Sequence, residues 1–130
     1  MNLKNYTIKS QEAIQKASEI ASALQQQAIE TGHLLKGMLE TDESVLSFVF
    51  KKLGVNENHI KTVVDKVVES YPKVTGGDPY LSRTTNTTFQ KATSYLKEFK
   101  DEYVSIEHIL LGLIGNSDDI GSLLKDAGIK

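Results

Sequence analysis

The sequence predicts an all-α domain made of two similar helical units, because it repeats itself and its apolar residues recur at helical spacing. The segment from Tyr6 to Leu39 aligns without a gap with the segment from Leu81 to Ile114. Several residues are identical in the two copies, among them His33 and His108. Each unit of such a repeat has an apolar face that its neighbour can cover. We therefore expect two pseudo-symmetric units packed face to face.

The repeat also predicts how the chain is divided. Repeat one is expected over 6–71, a linker over 72–80 and repeat two over 81–130. The linker contains both prolines and the only Gly-Gly pair of the chain, which favours a connection without regular structure. Repeat one continues through 56–71, and the counterpart of that segment would start after Lys130. We therefore expect the second unit to be truncated and the chain to be a piece of something longer.

Helix signals follow one another along repeat one, which is expected to contain about four helices. Thr7 is a candidate N-cap for the first helix. Gly54 is a candidate left-handed C-cap for the third helix, expected over 44–53, and Asn56 is placed to cap the fourth. The apolar residues of the first helix lie three or four positions apart: Ala13, Ala17, Ile20, Leu24 and Ala28.

Repeat two shows the same signals. Ser82 is expected to cap its first helix, at the position that matches the cap of repeat one. Ser105 is expected to cap a helix whose first turn contains Glu107, where a carboxylate interacts favourably with the helix dipole. Ser117 or Asp118 is expected to begin the last helix. The two units therefore share their order of helices.

Composition argues against several classes of function. The 130 residues are 39% hydrophobic and 25% charged, as in an ordinary globular domain, and the net charge of −2 disfavours non-specific nucleic-acid binding. The chain has no cysteine, which excludes a disulfide framework and a thiolate nucleophile. No apolar run approaches the roughly 20 residues of a membrane span, and the N-terminal segment lacks the apolar core of a signal peptide. We expect a cytoplasmic domain that binds neither nucleic acid nor membrane.

The matched histidines, His33 and His108, do not indicate a metal site. Neither has a second histidine or a carboxylate four residues further on, and zinc requires three or four ligands. Each is the third residue after an expected helix cap, which favours a structural role. The domain is expected to hold no metal and no cofactor of its own.

A metal- or serine-dependent hydrolase is the alternative from another class, but the sequence lacks the residues it needs. A nucleophile, a base and an oxyanion site must converge, and the chain has no Gly-x-Ser-x-Gly motif, while its hydroxyl residues concentrate at helix starts. The Gly76–Gly77 pair is not followed by the Gly-Lys-Ser/Thr of a phosphate loop. Candidate DNA-recognition helices over 34–40 and 106–115 contain one Lys or Arg, Lys36.

The two copies differ at two acidic positions. Asp101 and Glu107 of repeat two correspond to Gln26 and Gly32 of repeat one. A duplicated scaffold keeps its core in both copies, whereas a binding site needs to exist in only one. Two interpretations remain open. The carboxylates accept N–H groups of a bound extended peptide, or they are a helix-ending Asp and a first-turn Glu with a structural role.

The sequence resembles the duplicated N-terminal domain of the Clp AAA+ chaperones in four segments: YTIKSQEAIQKA from Tyr6, IETGHLLKGML from Ile29, PKVTGGDPYLS from Pro72 and VSIEHILLGL from Val104. The resemblance covers essentially the whole chain and includes both copies in order. Within the family, the linker with Pro-Lys-Val, Gly-Gly and Tyr-Leu-Ser is similar to that of the ClpB disaggregases. ClpC-type domains have EHILLGL in both copies, whereas repeat one here has Gly-His-Leu-Leu.

The resemblance implies a substrate-binding module that is not an enzyme by itself and sits on a flexible linker above a hexameric ATPase ring. Such a domain captures unfolded or aggregated polypeptide and passes it to the pore. ATP and Mg²⁺ would belong to the ATPase modules, and a DnaK-type chaperone system would be a partner of the full-length protein. We expect the isolated domain to be a monomer.

The resemblance also implies a site in repeat two. Functional polar positions of ClpB N-domains fall on Thr7, Asp101 and Glu107. From their positions we infer that an apolar groove beside them is lined by Tyr95, Phe99, Tyr103 and Ile106. The alternative is the adaptor-binding N-domain of a ClpC- or ClpA-type protease ATPase. ClpC-type domains bind phosphorylated arginine through the glutamate of each EHILLGL motif, and Gly32→Glu is expected to restore the one that repeat one lacks.

Overall fold

Seven α-helices make up most of the described chain, which comprises residues 3–41, 44–74 and 76–129 of a computed structural model. The first four belong to copy one and the last three to copy two: α1 (Ile8–Ala23), α2 (Thr31–Thr41), α3 (Val45–Leu53), α4 (Glu57–Ser70), α5 (Arg83–Phe99), α6 (Ile106–Ile114) and α7 (Asp119–Asp126). Two short strands, β1 (Ala28–Ile29) and β2 (Tyr80–Leu81), complete the regular structure. The predicted all-α repeat is confirmed.

The first helix of each copy begins at a matched hydroxyl cap, as the sequence predicts. The Thr7 hydroxyl accepts a hydrogen bond from the Ser10 N–H at 3.1 Å, and the Ser82 hydroxyl accepts one from the Thr85 N–H at 3.1 Å. Each bond satisfies one of the N–H groups that a helix leaves unpaired in its first turn. Equivalent hydroxyls therefore fix the start of α1 and of α5.

The remaining predicted caps are also present. Asn56 caps α4 by accepting from the His59 N–H at 3.1 Å, and Gly54 ends α3 in the left-handed region with φ 71°. Asp118, one of two residues expected to begin the last helix, accepts from the Gly121 N–H at 2.9 Å. These bonds explain why the helix order follows so closely from the pattern of Ser, Thr, Asn, Asp and Gly.

The long helices α1 and α5 both end at a left-handed residue, and α1 ends earlier than its apolar stripe suggests. Gln25 and Lys100, matched residues of the two copies, both adopt φ 58°, and the chain reverses at each of them. Ala28, which we assigned to the stripe of the first helix, therefore lies in β1 instead. Left-handed backbone at a residue other than glycine carries no signal in the pattern, so the sequence could not place this end.

Within each copy the first two helices approach closely at a glycine. A Cβ atom on Gly37 would lie 2.6 Å from the Ala13 carbonyl oxygen, and one on Gly112 would lie 2.7 Å from the Thr88 carbonyl oxygen. The small residues Ala13 and Ala17 are fully buried where α2 crosses α1. The repeated glycine is thus required by backbone contact, and it sets the packing of each helix pair.

The two copies also exchange short backbone pairings. β1 pairs in parallel with β2, with Ile29 opposite Leu81, and an isolated parallel bridge joins Tyr6 to Val104. In the alignment of the copies, Tyr6 corresponds to Leu81 and Ile29 to Val104. In each copy, the residue before the cap of the first helix therefore pairs with the residue that the other copy has two positions before its second helix. We call these two contacts the exchanged pairings.

The hydrogen bonds of the exchanged pairings match as well. The Thr7 N–H donates to the Val104 carbonyl at 2.9 Å, and the Ser82 N–H donates to the Ile29 carbonyl at 3.1 Å. The sequence predicted no strand here, because pairings of one or two residues are too short to show an alternating pattern. The exchanged pairings bring the start of α1 beside the connection between α5 and α6. None of the described helices is both long and apolar enough to cross a membrane.

Candidate functional site

The α5–α6 connection, residues 100–105, lies at the centre of the predicted site. Phe99 ends α5 and is 52% exposed, and Tyr103 is 53% exposed. Tyr95, one turn before Phe99, is partly buried, and the two rings lie 6.0 Å apart between centroids. Ile106 is only 3% exposed and faces the core, so its assignment to the groove lining is wrong. The first residue of an amphipathic helix can face either way, and the repeat pattern did not determine which.

His108 ties this connection to the first turn of α6. Its Nδ1 accepts a hydrogen bond from the Ser105 N–H at 2.9 Å, and the Ser105 hydroxyl accepts one from the His108 N–H at 3.4 Å. The pair forms a capping box in which histidine takes the place of the usual Glu or Gln. Because Nδ1 is an acceptor, the ring carries its proton on Nε2, which lies 2.9 Å from Oδ2 of Asp101. Asp101 therefore accepts a hydrogen bond from a buried ring.

Copy one repeats this arrangement with a neutral partner. The Glu30 N–H donates to Nδ1 of His33 at 2.9 Å, and Nε2 of His33 lies 2.5 Å from Oε1 of Gln26. Gln26 is buried, and its amide also donates to the Val68 carbonyl at 2.8 Å. Burial holds the pKa of His33 down at about 4, with a smaller contribution from the positive charge of Lys36. His33 is thus neutral and structural at physiological pH.

The duplicated network explains an arrangement that resembles a catalytic triad. Ser105, His108 and Asp101 lie in a chain of contacts of 2.9 Å each. In copy one, the backbone N–H of Glu30 donates to Nδ1 of His33 and Gln26 takes the place of the aspartate, so the histidine contacts both sides of the helix start without a serine hydroxyl. The arrangement therefore belongs to the fold. Among the described residues, no group of three or more His, Asp or Glu side chains is placed to hold a metal ion.

Glu107 differs from Asp101 in its surroundings. It is exposed in the first turn of α6, beside the positive end of the helix dipole. Within the described part of the chain, no side chain forms an ion pair or a hydrogen bond with its carboxylate. The carboxylate is therefore open to solvent and to a ligand.

The matched position in copy one is filled by another side chain. The Gly32 N–H donates to the Tyr71 hydroxyl at 3.2 Å, and a Cβ atom on Gly32 would lie 2.6 Å from that oxygen. Burial raises the pKa of Tyr71 to about 12, and its ring packs against His33 at 5.1 Å between centroids. Tyr71 is the residue that follows α4. Among the described residues, Tyr71 therefore covers the start of α2, whereas Glu107 at the start of α6 is exposed.

Thr7 is engaged inside the protein. Besides capping α1, its hydroxyl donates to the Ser10 hydroxyl at 2.9 Å, and that hydroxyl donates to the Val104 carbonyl at 2.9 Å. The three atoms form a short polar chain that ends at the exchanged pairing. Thr7 thus lies next to the α5–α6 connection, and its hydroxyl is bonded to Ser10.

The structure also contains a cleft that the sequence did not indicate. It has a volume of about 460 Å³ and lies between α1 and α2, where Ile20 and Leu24 form part of its wall. The matched residues of copy two are Tyr95 and Phe99, whose larger rings stand at the corresponding positions. Copy one therefore has a cleft where copy two has an aromatic surface.

Comparison with known proteins places this architecture in a family. Residues 5–127 match the model of the Clp repeat N-terminal domain. Over 99% of its length the chain is 52% identical to the chaperone protein ClpB of Bacteroides thetaiotaomicron, and over 98% it is 49% identical to that of Porphyromonas gingivalis. It spans about 15% of the length of each.

Solved structures share the fold at lower identity. The Hsp104 N-terminal domain from Candida albicans superposes with a TM-score of 0.86 at 22% identity, covering 98% of this chain and 84% of that one. The N-terminal domain of the protease-associated chaperone ClpD from Arabidopsis thaliana superposes with a TM-score of 0.72 at 21% identity, covering 99% and 91%. The chain therefore belongs to the Clp repeat N-terminal domain family, and its sequence is of the ClpB type.

Proposed function

We propose that this domain captures unfolded or aggregated polypeptide through the surface of copy two and delivers it to an ATP-driven disaggregase ring. The observation that carries the proposal is the set of exposed aromatic rings beside an open carboxylate. Phe99 and Tyr103 are each about half exposed, and Glu107 begins the next helix. Copy one has Leu24 and Ala28 at the aromatic positions and Gly32 at the acidic one. The surface is therefore a property of one copy only.

The chemistry of an unfolded client matches this surface. Such a chain exposes apolar side chains together with backbone N–H groups that have lost their partners. Aromatic rings cover large apolar areas, and a carboxylate accepts N–H donors strongly. Neither contact requires a particular sequence, so the surface favours broad recognition with modest affinity.

The wider setting is part of the proposal, because the chain spans a small fraction of its ClpB relatives. ATP and Mg²⁺ would bind to the ATPase modules of the complete protein, which assembles as a hexamer and works in the cytoplasm with a DnaK-type chaperone system. The domain itself would be a monomer that binds and releases polypeptide without chemistry. Its role in that assembly is to raise the concentration of clients near the pore.

A binding experiment tests the proposal. The domain is titrated with a fluorescently labelled, permanently unfolded polypeptide, such as reduced and carboxymethylated α-lactalbumin, and anisotropy is recorded. The double variant Phe99→Ser with Tyr103→Ser should weaken binding by about tenfold, because it removes most of the apolar contact. Phe48→Ser is the matched control, since Phe48 is 64% exposed on α3 of copy one. Equal binding by all three proteins would exclude the copy-two surface.

The alternative function is adaptor binding, as in a ClpC- or ClpA-type protease ATPase, and the similarity to the ClpD domain keeps it under consideration. Tyr71 argues against the ClpC-type version, since it fills the place of the copy-one glutamate. Calorimetry with phosphoarginine distinguishes the two. We expect negligible binding, and tight binding by the unmodified domain would favour the ClpC type.

A further inference from the structure

We infer that copies of this chain associate head to tail through two different surfaces of copy one. The exposed residues of α3 in one chain lie in the cleft between α1 and α2 of the next chain. This contact is separate from the copy-two surface and goes beyond the proposed function. The donor surface, which we call the α3 surface, is formed by Phe48, Lys51, Lys52 and Leu53.

The α3 surface is apolar where a surface helix is normally polar. Leu46 and Phe50 are buried and anchor α3 in the core, while Phe48 is 64% and Leu53 is 49% exposed. A helix with apolar residues on all sides is usually buried, so exposed ones indicate a surface that another molecule covers. At the matched positions α7 has a serine and an alanine. The fold itself therefore does not require these two apolar side chains.

Two lysines give the α3 surface a positive charge. Lys51 and Lys52 are exposed and form the only adjacent pair of basic residues in the chain. Nζ of Lys52 lies 5.7 Å from the centroid of the Phe48 ring. Within the described part of the chain, neither lysine forms an ion pair. The partner of this surface should therefore combine an apolar wall with carboxylates.

The cleft between α1 and α2 has room for the ring of Phe48. Its volume is about 460 Å³, and Ile20 and Leu24 form its apolar wall. A cavity of about 150 Å³ is sufficient to hold a benzene ring. In copy two the matched positions hold the rings of Tyr95 and Phe99 instead. The cleft is therefore a property of copy one, as the α3 surface is.

Carboxylates stand at the edge of this cleft. Glu19 and Glu40 line it and are exposed, and neither forms an ion pair with another described residue. Lys36 lines it as well, but its Nζ is paired with Oδ1 of Asp65 at 3.0 Å. Lys16 is the remaining cation of the lining. The charged groups without a partner are thus two carboxylates and one ammonium, which favours a positively charged occupant.

A second copy of the chain supplies both properties that the cleft requires. Phe48 and Leu53 provide the apolar side chains, and the two lysines beside them provide the positive charge. In its own chain α3 packs against α4 and α6, neither of which lies opposite α1 in the cleft. The two surfaces therefore meet between molecules. Because they are different surfaces, the contact is heterologous and extends beyond a dimer.

The association is weak because the contact is small. Four side chains form the α3 surface, whereas a stable interface has about 20–30 residues on each side. The domain is therefore a monomer in dilute solution and associates only near millimolar concentration. Flexible tethering produces effective concentrations of about that size. The hexamer that would tether six domains rests on the proposed function, whereas the association itself does not.

Sedimentation velocity of the domain tests the inference at concentrations from about 10 μM to about 1 mM, the upper value being the range of tethered domains. We expect the weight-average sedimentation coefficient to rise with concentration. Phe48→Ser should weaken the association by at least about tenfold, because it removes the side chain that enters the cleft. The matched control is Phe99→Ser with Tyr103→Ser, which changes exposed rings of copy two and should leave the association unchanged.

Charge reversal tests which surfaces meet. One variant combines Lys51→Glu with Lys52→Glu, and the other combines Glu19→Lys with Glu40→Lys. Each should fail to associate alone, since like charges then face each other. An equimolar mixture should associate, because each α3 surface again meets a cleft of opposite charge. All four side chains are exposed, so the variants should fold, which circular dichroism checks.

Three results would overturn the inference. The first is an unmodified domain that stays monomeric at about 1 mM. The second is a mixture of the charge-reversed variants that does not associate while the unmodified domain does. The third is a monomeric domain whose binding of labelled, carboxymethylated α-lactalbumin is lost in the Glu19→Lys, Glu40→Lys variant, which would assign the cleft to unfolded polypeptide. A failure of the proposed function is distinguishable, because polypeptide binding is measured at concentrations where the domain is monomeric.

Discussion

At the scale of single residues, the two copies diverge most clearly where their second helices begin. Repeat two has Glu107 there, exposed, and repeat one has Gly32, buried under the Tyr71 hydroxyl. The alignment identified this difference, but it could not show that Tyr71, the residue after α4, fills the space. Gly32→Glu, which is expected to restore the missing glutamate, would therefore also place its side chain against the Tyr71 ring.

The first prediction concerns this contact. Gly32→Ala should lower the free energy of unfolding by about 1–3 kcal/mol, because the added Cβ must displace a packed ring. Tyr71→Phe removes the nearest atom, so the cost of Gly32→Ala should be smaller in that background. Chemical denaturation of the four proteins in the cycle measures the coupling. Additive costs would show that the two side chains do not compete for space.

The second prediction concerns the buried histidine of copy one. The pKa of His33 is lowered from 6.5 to about 4, so between these values the unfolded state binds a proton that the folded state excludes. Stability should be unaffected by this group above pH 6.5 and should fall as pH drops toward 4, by up to about 3 kcal/mol in total. Denaturation at a series of pH values, with NMR titration of the ring, checks this. A titration of His33 near 6.5 would contradict it.

At the scale of elements, the sequence was sufficient to predict the helices, but it did not predict the backbone pairings that join the two copies. Caps at Thr7, Asn56 and Ser82 were visible because Ser, Thr and Asn have few other reasons to precede an apolar stripe. The exchanged pairings were not visible, because one or two residues show no period and their partners lie in the other copy. The end of α1 was also missed, because its left-handed residue is Gln25, which is not a typical residue for that conformation.

The third prediction uses those left-handed ends. Lys100→Gly should raise the free energy of unfolding by about 0.5–1 kcal/mol, because glycine adopts φ 58° without the steric cost of a side chain. Gln25→Gly should have a similar effect by the same mechanism. Lys97→Gly, within the last turn of α5, is the contrasting change and should destabilise by about 1 kcal/mol. Thermal denaturation of the three variants measures the differences. A lowered melting temperature in Lys100→Gly would show that the left-handed backbone at Lys100 does not cost stability.

At the scale of the whole molecule, two copies of one helical plan form one folded unit. The duplication and the family were readable from the sequence, since they depend on residues that both copies share. The sequence also predicted the exposed positions of Phe99, Tyr103 and Glu107, whose role in binding stays a prediction. The hydrogen bond of Asp101 to His108 was not predicted, because it links two residues seven positions apart that meet only in the folded chain.

The fourth prediction follows from the exchanged pairings. Each copy needs a backbone partner from the other, so fragments 1–75 and 76–130 should each be largely unfolded when separate. Mixing them should restore helical circular dichroism in a one-to-one complex, since the pairings do not require a covalent linker. Calorimetry measures the association. A fragment 1–75 that unfolds cooperatively by itself would show that the exchange is dispensable.

The exchanged pairings have a consequence for the asymmetry of this domain. If the two copies were identical and separate, the same exchange would make a closed dimer with a two-fold axis. In such a dimer every substitution appears twice, so a tyrosine that covers the start of the second helix in one subunit would cover it in both. Joining the copies in one chain removes that constraint. In the single chain, Tyr71 covers Gly32 in one half, while Glu107 in the other half is exposed to solvent.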